Sequence, residues 1–334
     1  MILKPSSLGD VVQALPVLRL LKQHFPQSQI YWWIDSSLAP LLDEDSDLTG
    51  IIRFERRRWA APWNWDEALE SIFAARRLKF DWIIDLQCLA RSGAFSWLAN
   101  GGLTIGLDDA REGARGFYDL IIPNPANGVH AVNRYLNVLR TLEVPVHDRF
   151  TWLPDRPGMR AALELKWNLN SARWFVISPG ARWETKRWPA ENFAEVLRRL
   201  AAEFPTHKFA VIGSESETSI AQTVAEAVPG RTLNLAGRTA LPELIEWIRA
   251  GDLMITNDTG PMHIAAALAK PVVAIFGPTD PLRTGPYGQI EGALQVPLPC
   301  GPCRKDTCAN AEDLECLRAI SPQQVVDEVQ RRMR

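Results

Sequence analysis

Asp258, Thr259, Gly260 and His263 stand in the stretch LMITNDTGPMHIAAALAKPVVAIFGPT, residues 253–279, and their types and spacing suit an anion. Two apolar runs, Leu253–Thr256 and Pro271–Phe276, flank a helical pattern from Pro261 to Leu268. That is a strand, a turn, a helix and a returning parallel strand. Asp258 or Thr259 can cap the helix, Gly260 admits a close backbone approach, and Pro261 suits the first turn. Such a helix start points free N–H groups and the positive end of its dipole at a ligand, above all phosphate. His263 falls on the first turn, close to any phosphate held there. An ordinary capped turn carries the same residues, so the rest of the chain has to decide between the two.

Other loops carry further chemistry. Ser178–Pro189 (SPGARWETKRWP) follows an apolar run and holds Arg182, Lys186 and Arg187; a lysine there can neutralise a diphosphate leaving group as a point charge. Glu217 closes the run Gly213–Glu217, where a carboxylate can accept bonds from ribose hydroxyls. Asp10 stands at the start of the first helix, either as a cap or as a base facing an incoming hydroxyl. Its loop has neither a Gly-rich dinucleotide fingerprint nor a P-loop. Arg56–Trp59, Arg91-Ser92 and Arg111–Arg115 each follow a strand; gathered on one rim they suit an acidic acceptor, while singly each is a solvated face. The acidic run Asp43–Asp47 lacks the glycine and closing glutamate of a calcium loop and reads as a solvated turn. Cys300, Cys303, Cys308 and Cys316 can hold zinc as four thiolates, with Cys303 and Cys308 central; free thiols in a loop are the alternative.

These residues need a frame, and the chain supplies one twice. Short apolar runs at Met1–Lys4, up to Asp35, at Ile51–Phe54, Asp81–Asp85 and Thr104–Gly106 alternate with helical patterns to about Phe25, at Trp65–Lys79 and at Leu89–Leu98. The alternation pauses in the Pro- and Asn-rich stretch Ile121–Asn127, and a helix is expected over Ala131–Leu142. It restarts at Trp174–Ser178 and runs to a last helix over Pro322–Met333. This pattern predicts an α/β protein with two Rossmann-like, doubly wound domains facing a central cleft, with ligands at the C-terminal ends of the strands. Residues 1–155 form the first domain and 156–321 the second, followed by the helix in 322–334; Val144–Asp155 reads as a linker. The 334 residues are 46% hydrophobic and carry a net charge of −2, which excludes bulk nucleic-acid binding. An apolar signal segment and a membrane-length run are both lacking, so a cytoplasmic protein is expected. Most of the 13 tryptophans are expected in packing.

Five motifs in register, KPSSLGDVVQALP, IIDLQCLARSGAF, SPGARWETKRWP, ITNDTGPMHIAAAL and IFGPTDP, resemble the ADP-heptose–lipopolysaccharide heptosyltransferases, inverting glycosyltransferases of the GT-B fold. The resemblance spans nearly the whole chain. The stretches beginning at Asp85 and at Ala110 look more like the enzyme that adds the first heptose to Kdo, although Cys88 stands where such relatives usually have glycine. The resemblance implies that Asp10 is the general base and that Lys186 neutralises the leaving diphosphate. It implies that Glu217 holds the ribose and that Asp258, Thr259, Gly260 and His263 form the donor site. Arg57, Arg58, Arg91 and Arg111 would face the acceptor's carboxylates and phosphates. The implied partners are ADP-heptose and a Kdo–lipid A acceptor, with no required cofactor. The Trp-Arg surface at Arg56–Trp59, Trp63 and Trp65, together with an amphipathic acceptor, adds the expectation of a peripheral contact with the inner membrane. A GT-B enzyme or epimerase using another nucleotide-sugar, and a non-catalytic nucleotide-sugar-binding protein, are the other readings.

Overall fold

Short apolar strands alternating with helices bury both faces of a sheet only when the strands run parallel beneath a cover of helices, and this chain does so twice. The computed structural model describes residues 1–125 and 128–334 and forms two units, Met1–Pro154 and Asp155–Arg334. The first contains β1 (Ile2–Leu3), α1 (Leu8–His24), β2 (Tyr31–Asp35), β3 (Gly50–Phe54), α2 (Trp65–Arg77), β4 (Trp82–Asp85), α3 (Ala90–Ala99), β5 (Leu103–Leu107), β6 (Leu120–Ile122) and α4 (Ala131–Thr141). The second begins with α5 (Pro157–Trp167), β7 (Arg173–Ser178), α6 (Ala190–Glu203), β8 (His207–Val211), α7 (Thr218–Ala225) and β9 (Thr232–Asn234). It continues through α8 (Leu241–Ala250), β10 (Leu253–Asn257), α9 (Gly260–Ala267), β11 (Val272–Phe276), α10 (Pro281–Thr284), β12 (Ala293–Gln295), α11 (Glu315–Arg318) and α12 (Pro322–Met333).

The strand orders are β3-β2-β1-β4-β5-β6 and β12-β11-β10-β7-β8-β9, with parallel pairing throughout. Each sheet winds outward in both directions from its first strand, so the winding reverses between β1 and β4 and again between β7 and β10. Loops at such a reversal diverge to opposite sides of the sheet and leave a crevice at its C-terminal edge. In the first unit Trp33 stacks on Phe95 of α3 at 4.6 Å and on Phe54 at 4.5 Å. In the second, Phe175, Phe193, Phe209 and Ile255 pack with Val325 and Val329 of α12, which is thereby part of that core.

The differences from expectation have local causes. The strands β6 and β12 have only three residues and show no periodicity; α5 buries Leu163 alone, so its sequence carries no apolar stripe. The pause expected over Ile121–Asn127 opens on β6, and positions 126 and 127 lie outside the described residues. The boundary between the two units falls inside the expected linker Val144–Asp155, of which Val144 and Leu153 are buried. Asp43–Asp47 is not a solvated turn. Arg19 of α1 donates to both oxygens of buried Asp45 (2.6 and 2.5 Å), to Asp47 (2.7 Å) and to the Trp152 carbonyl (3.0 Å). One guanidinium thus ties α1, the acidic turn and the end of the unit together, because a buried charge must be matched on every face.

Removing that guanidinium leaves Asp45 buried without a counter-charge. Arg19→Ala is expected to destabilise the first unit by about 3–5 kcal/mol, read as a lowered denaturant midpoint. A midpoint unchanged from wild type would show that the clamp contributes nothing.

Candidate active site

The reversal between β7 and β10 places two loops side by side, one holding Lys186 and the other Asp258. The Lys186 Nζ lies 2.6 Å from the Asp258 Oδ2, and the Thr279 hydroxyl donates to the same oxygen at 2.6 Å. Asp258 is only 5% exposed. Its carboxylate is engaged there and does not cap α9; Thr259 occupies the N-cap position but makes no side-chain cap bond. The expected cap is therefore absent, and the start of an eight-residue helix has no side-chain acceptor from either residue. Gly260 opens that helix, and His263 is buried on it.

Asn257 sets the shape of the Lys186 loop. Fully buried at the end of β10, its Nδ2 donates to the Pro179 carbonyl at 2.7 Å, and its Oδ1 accepts from the Trp188 N–H at 3.2 Å. One amide therefore closes both ends of the loop that carries Lys186. Further ties run from Thr185 Oγ1 to the Lys305 carbonyl (2.8 Å) and from the Trp188 indole to the Ile320 carbonyl (3.0 Å). Sequence reading missed Asn257 and Thr279. The available signal was a polar residue ending an apolar strand, and a threonine in the matching loop after β11.

Glu217 reaches the same edge from β8. Its Oε2 accepts from the N–H and hydroxyl of Ser214 at 2.7 and 2.8 Å, and its carboxylate lies over Gly180 so closely that a Cβ there would sit 2.1 Å from Oε1. A side chain at position 180 would therefore have to displace the Glu217 carboxylate. Lys186, Glu217, Asp258, Thr259 and Gly260 are gathered at one edge: a cation, a carboxylate with hydrogen-bond capacity and an uncapped helix start. This set can hold a diphosphate and a polyhydroxylated group.

In the first unit the loops after β1 and β4 occupy the equivalent reversal. Asp10 lies on the first turn of α1, where its Oδ2 accepts from the Ser7 N–H at 3.0 Å and hydroxyl at 2.7 Å, so it has a capping role whatever else it does. Lys4 is buried at the end of β1 and donates to the Leu86 carbonyl at 3.1 Å. Burial works against its ammonium, but the fields of Tyr135 and Asp10 outweigh this and hold its pKa above the ordinary lysine value. The arginine loops are linked in sequence. Arg91 lies over the Phe54 ring at the end of β3 (5.6 Å), the Arg111 N–H donates to the Cys88 carbonyl (3.0 Å), and Ala90 N–H donates to Glu112 (3.3 Å). Arg57, Arg91 and Arg111 are exposed, whereas Arg58 pairs with Glu67.

Cys88 adopts φ +54°, the left-handed region that favours glycine. It is held there by Asp85, whose Oδ1 accepts from the N–H groups of Gln87 (2.8 Å) and Cys88 (3.0 Å) while its Oδ2 accepts from the Tyr118 hydroxyl (2.8 Å). Burial, then the Asp85 charge, pushes the Cys88 thiol up to about 12. The other four cysteines form no disulfide, and among the described residues no three His, Cys, Asp or Glu side chains are grouped to hold a metal ion. As placed, Cys300, Cys303, Cys308 and Cys316 do not form such a group. Burial, then the neighbouring cysteines, raises the Cys316 pKa.

Two measurements follow. Asn257→Ala strands the Trp188 N–H and the Pro179 carbonyl, so a loss of about 1–3 kcal/mol is expected, with faster tryptic cleavage at Arg182, Lys186 and Arg187; unchanged cleavage would show that the loop is held otherwise. At pH 8 a thiol of pKa about 12 is thiolate in roughly one molecule in ten thousand. Iodoacetamide is therefore expected to label exposed Cys300 and Cys303 readily and Cys88 only after unfolding.

Residues 69–313 match the model of glycosyltransferase family 9 (heptosyltransferase). The chain is 28% identical to lipooligosaccharide heptosyltransferase 2 of Campylobacter jejuni over 98% of its own length and 96% of that protein's. It is also 28% identical to lipopolysaccharide heptosyltransferase 1 of Pseudomonas aeruginosa, over 99% and 96%. Its fold is that of the Escherichia coli ADP-heptose LPS heptosyltransferase II (TM-score 0.77, 22% identity, 99% and 97% covered) and of a family 9 glycosyl transferase from Veillonella parvula (TM-score 0.83, 24% identity, 99% and 96%). Two doubly wound parallel sheets in one chain, a diphosphate-suited edge on the second and a family match over most of the length lead to one statement: the chain belongs to glycosyltransferase family 9 and is a GT-B heptosyltransferase.

Proposed function

We propose that this heptosyltransferase moves a heptose from ADP-L-glycero-β-D-manno-heptose to the Kdo or heptose of a lipopolysaccharide inner core, with inversion at the anomeric carbon. The observation that carries the reading is the pairing of Lys186 with Asp258 beside the uncapped start of α9. In the reading, the donor diphosphate draws Lys186 away from Asp258 and takes the first-turn N–H groups, Gly260 among them, as further donors, with Thr259 and His263 lining the site. Glu217 binds the ribose. Charge developing on the departing ADP is met by the ammonium and the helix dipole, so no metal ion enters the scheme.

In the first unit, Asp10 takes the acceptor proton as the oxygen attacks the face opposite ADP. Its bonds to Ser7 fix the carboxylate on α1, which favours a single protonation geometry. The exposed cations Arg57, Arg91 and Arg111, and Arg58 once released from Glu67, meet the acidic groups of the acceptor. A lipid-linked acceptor brings the enzyme to the cytoplasmic face of the inner membrane. Among the described residues no helix is long and apolar enough to cross a membrane, so this contact is peripheral in the reading.

An assay pairing ADP-heptose with Kdo-bearing and heptose-bearing acceptors tests the substrates directly; transfer to neither would sink the reading. For the residues, Asp10→Asn is expected to lower kcat by about 10²–10⁴ while leaving ADP binding intact. Lys186→Ala should weaken ADP binding and kcat together. Wild-type transfer by the Asp10 variant would remove the base from the scheme.

A further inference from the structure

The helix α2 has its polarity inverted in one sector. A helix on a sheet normally turns its apolar stripe to the core and its polar residues to water. Here the inward side is made of small or modest groups: Ala75 is buried, and Ile72 is packed on the cluster formed by Trp33 and Phe95. The large apolar side chains face out. Trp65, Leu69 and Phe73 recur at four-residue steps and so form one stripe, with exposures of 58%, 51% and 55%. Trp63, 81% exposed, extends the stripe on the loop before the helix. The Trp65 indole N–H donates to the Trp59 carbonyl at 3.2 Å, but the apolar surface of the stripe is left in water, and exposed apolar patches of this kind mark contact surfaces.

Charge identifies the occupant. Arg56 and Arg57 precede the stripe, and Arg76, Arg77 and Lys79 follow it; all five are exposed, and none enters an ion pair among the described residues. On the helix, Glu67 is neutralised by Arg58, leaving Asp66 and Glu70 as its unpaired carboxylates. The chain as a whole has a net charge of −2, so this local excess of cations runs against the general balance. Aromatic and leucine side chains in a row between two basic ends are the composition of a helix that lies in the plane of an anionic bilayer, with apolar groups among the acyl chains and cations at the lipid phosphates. The start of α2 also lies at the C-terminal edge of β3, the edge that carries the arginine loops.

We infer that the outward stripe of α2, Trp63, Trp65, Leu69 and Phe73 with its flanking cations, is the surface by which this enzyme docks on an anionic membrane. The inference rests on the peripheral membrane contact proposed above and extends its expected place, Arg56–Trp59 with Trp63 and Trp65, along α2 to Leu69, Phe73 and the cations at its end. Docking along the 13 residues of α2 sets the height of the acceptor loops above the lipid surface and lets the enzyme find a lipid-linked acceptor by two-dimensional search.

The test uses the full-length protein without substrate. Vesicles of phosphatidylethanolamine with phosphatidylglycerol are expected to sediment the wild-type protein, with a blue shift of tryptophan emission. Binding should fall steeply with salt and be weak on phosphatidylcholine alone. The exposed triple change Trp65→Ser, Leu69→Ser, Phe73→Ser, and separately Arg76→Glu with Arg77→Glu, should each weaken vesicle binding at least tenfold. Transfer to an acyl-free, soluble acceptor should be unchanged in both. Vesicle binding equal to wild type in the triple variant overturns the inference. So does a wild-type dimer that the triple change converts to monomer, since the stripe would then be covered by a second copy. The vesicle assay involves no acceptor, so failure of docking leaves transfer standing, and failure of transfer leaves docking standing.

Discussion

A carboxylate buried at the mouth of a parallel sheet has to be matched by charge or by donors, and the second unit is arranged around meeting that demand for Asp258. Lys186 and Thr279 both converge on one of its oxygens. Each comes from a different loop, so a single buried charge draws together the ends of β7, β10 and β11. The arrangement has a chemical consequence. In the proposed reading, a lysine held by a carboxylate is aimed before the diphosphate arrives, and Asp258 is the partner that the diphosphate displaces.

Asn257 acts next to this pair without touching it. Strand ends leave backbone groups with no ladder to join, and a buried N–H or carbonyl must be satisfied somewhere. Here one side-chain amide satisfies two groups nine residues apart in the chain, Pro179 and Trp188, and so holds a loop that has no regular structure of its own. Glu217 has a similar double position: it closes a capping box with Ser214 and covers Gly180 at the start of the same loop. Local capping chemistry therefore places groups that also suit a ligand, and the two uses do not conflict.

The first unit meets comparable demands in the same way. Arg19 matches Asp45 and Asp47 far from the C-terminal edge of the sheet, while Asp85 organises the β4–α3 turn through two N–H groups and the Tyr118 hydroxyl. Holding Cys88 in the left-handed region costs on the order of 1–2 kcal/mol, which these contacts offset. The outward face of α2 is the exception among these satisfied groups: Trp65, Leu69 and Phe73 leave more than half of their surface in water.

The sequence by itself determined the alternation of strands and helices, the doubly wound class and the loops in which Lys186, Glu217 and Asp258 lie, because apolar periodicity and turn residues are local properties. It also located Asp10 at a helix start, where capping preference is local. Only the tertiary structure decided what depends on contacts distant in sequence. It turned Asp258 from a helix cap into the partner of Lys186, turned Asp45 from a solvated turn into a buried anion, and gave Asn257 its role across more than seventy residues. The helix α5 was illegible for a related reason: one buried leucine carries too little pattern to declare itself before a neighbour packs against it.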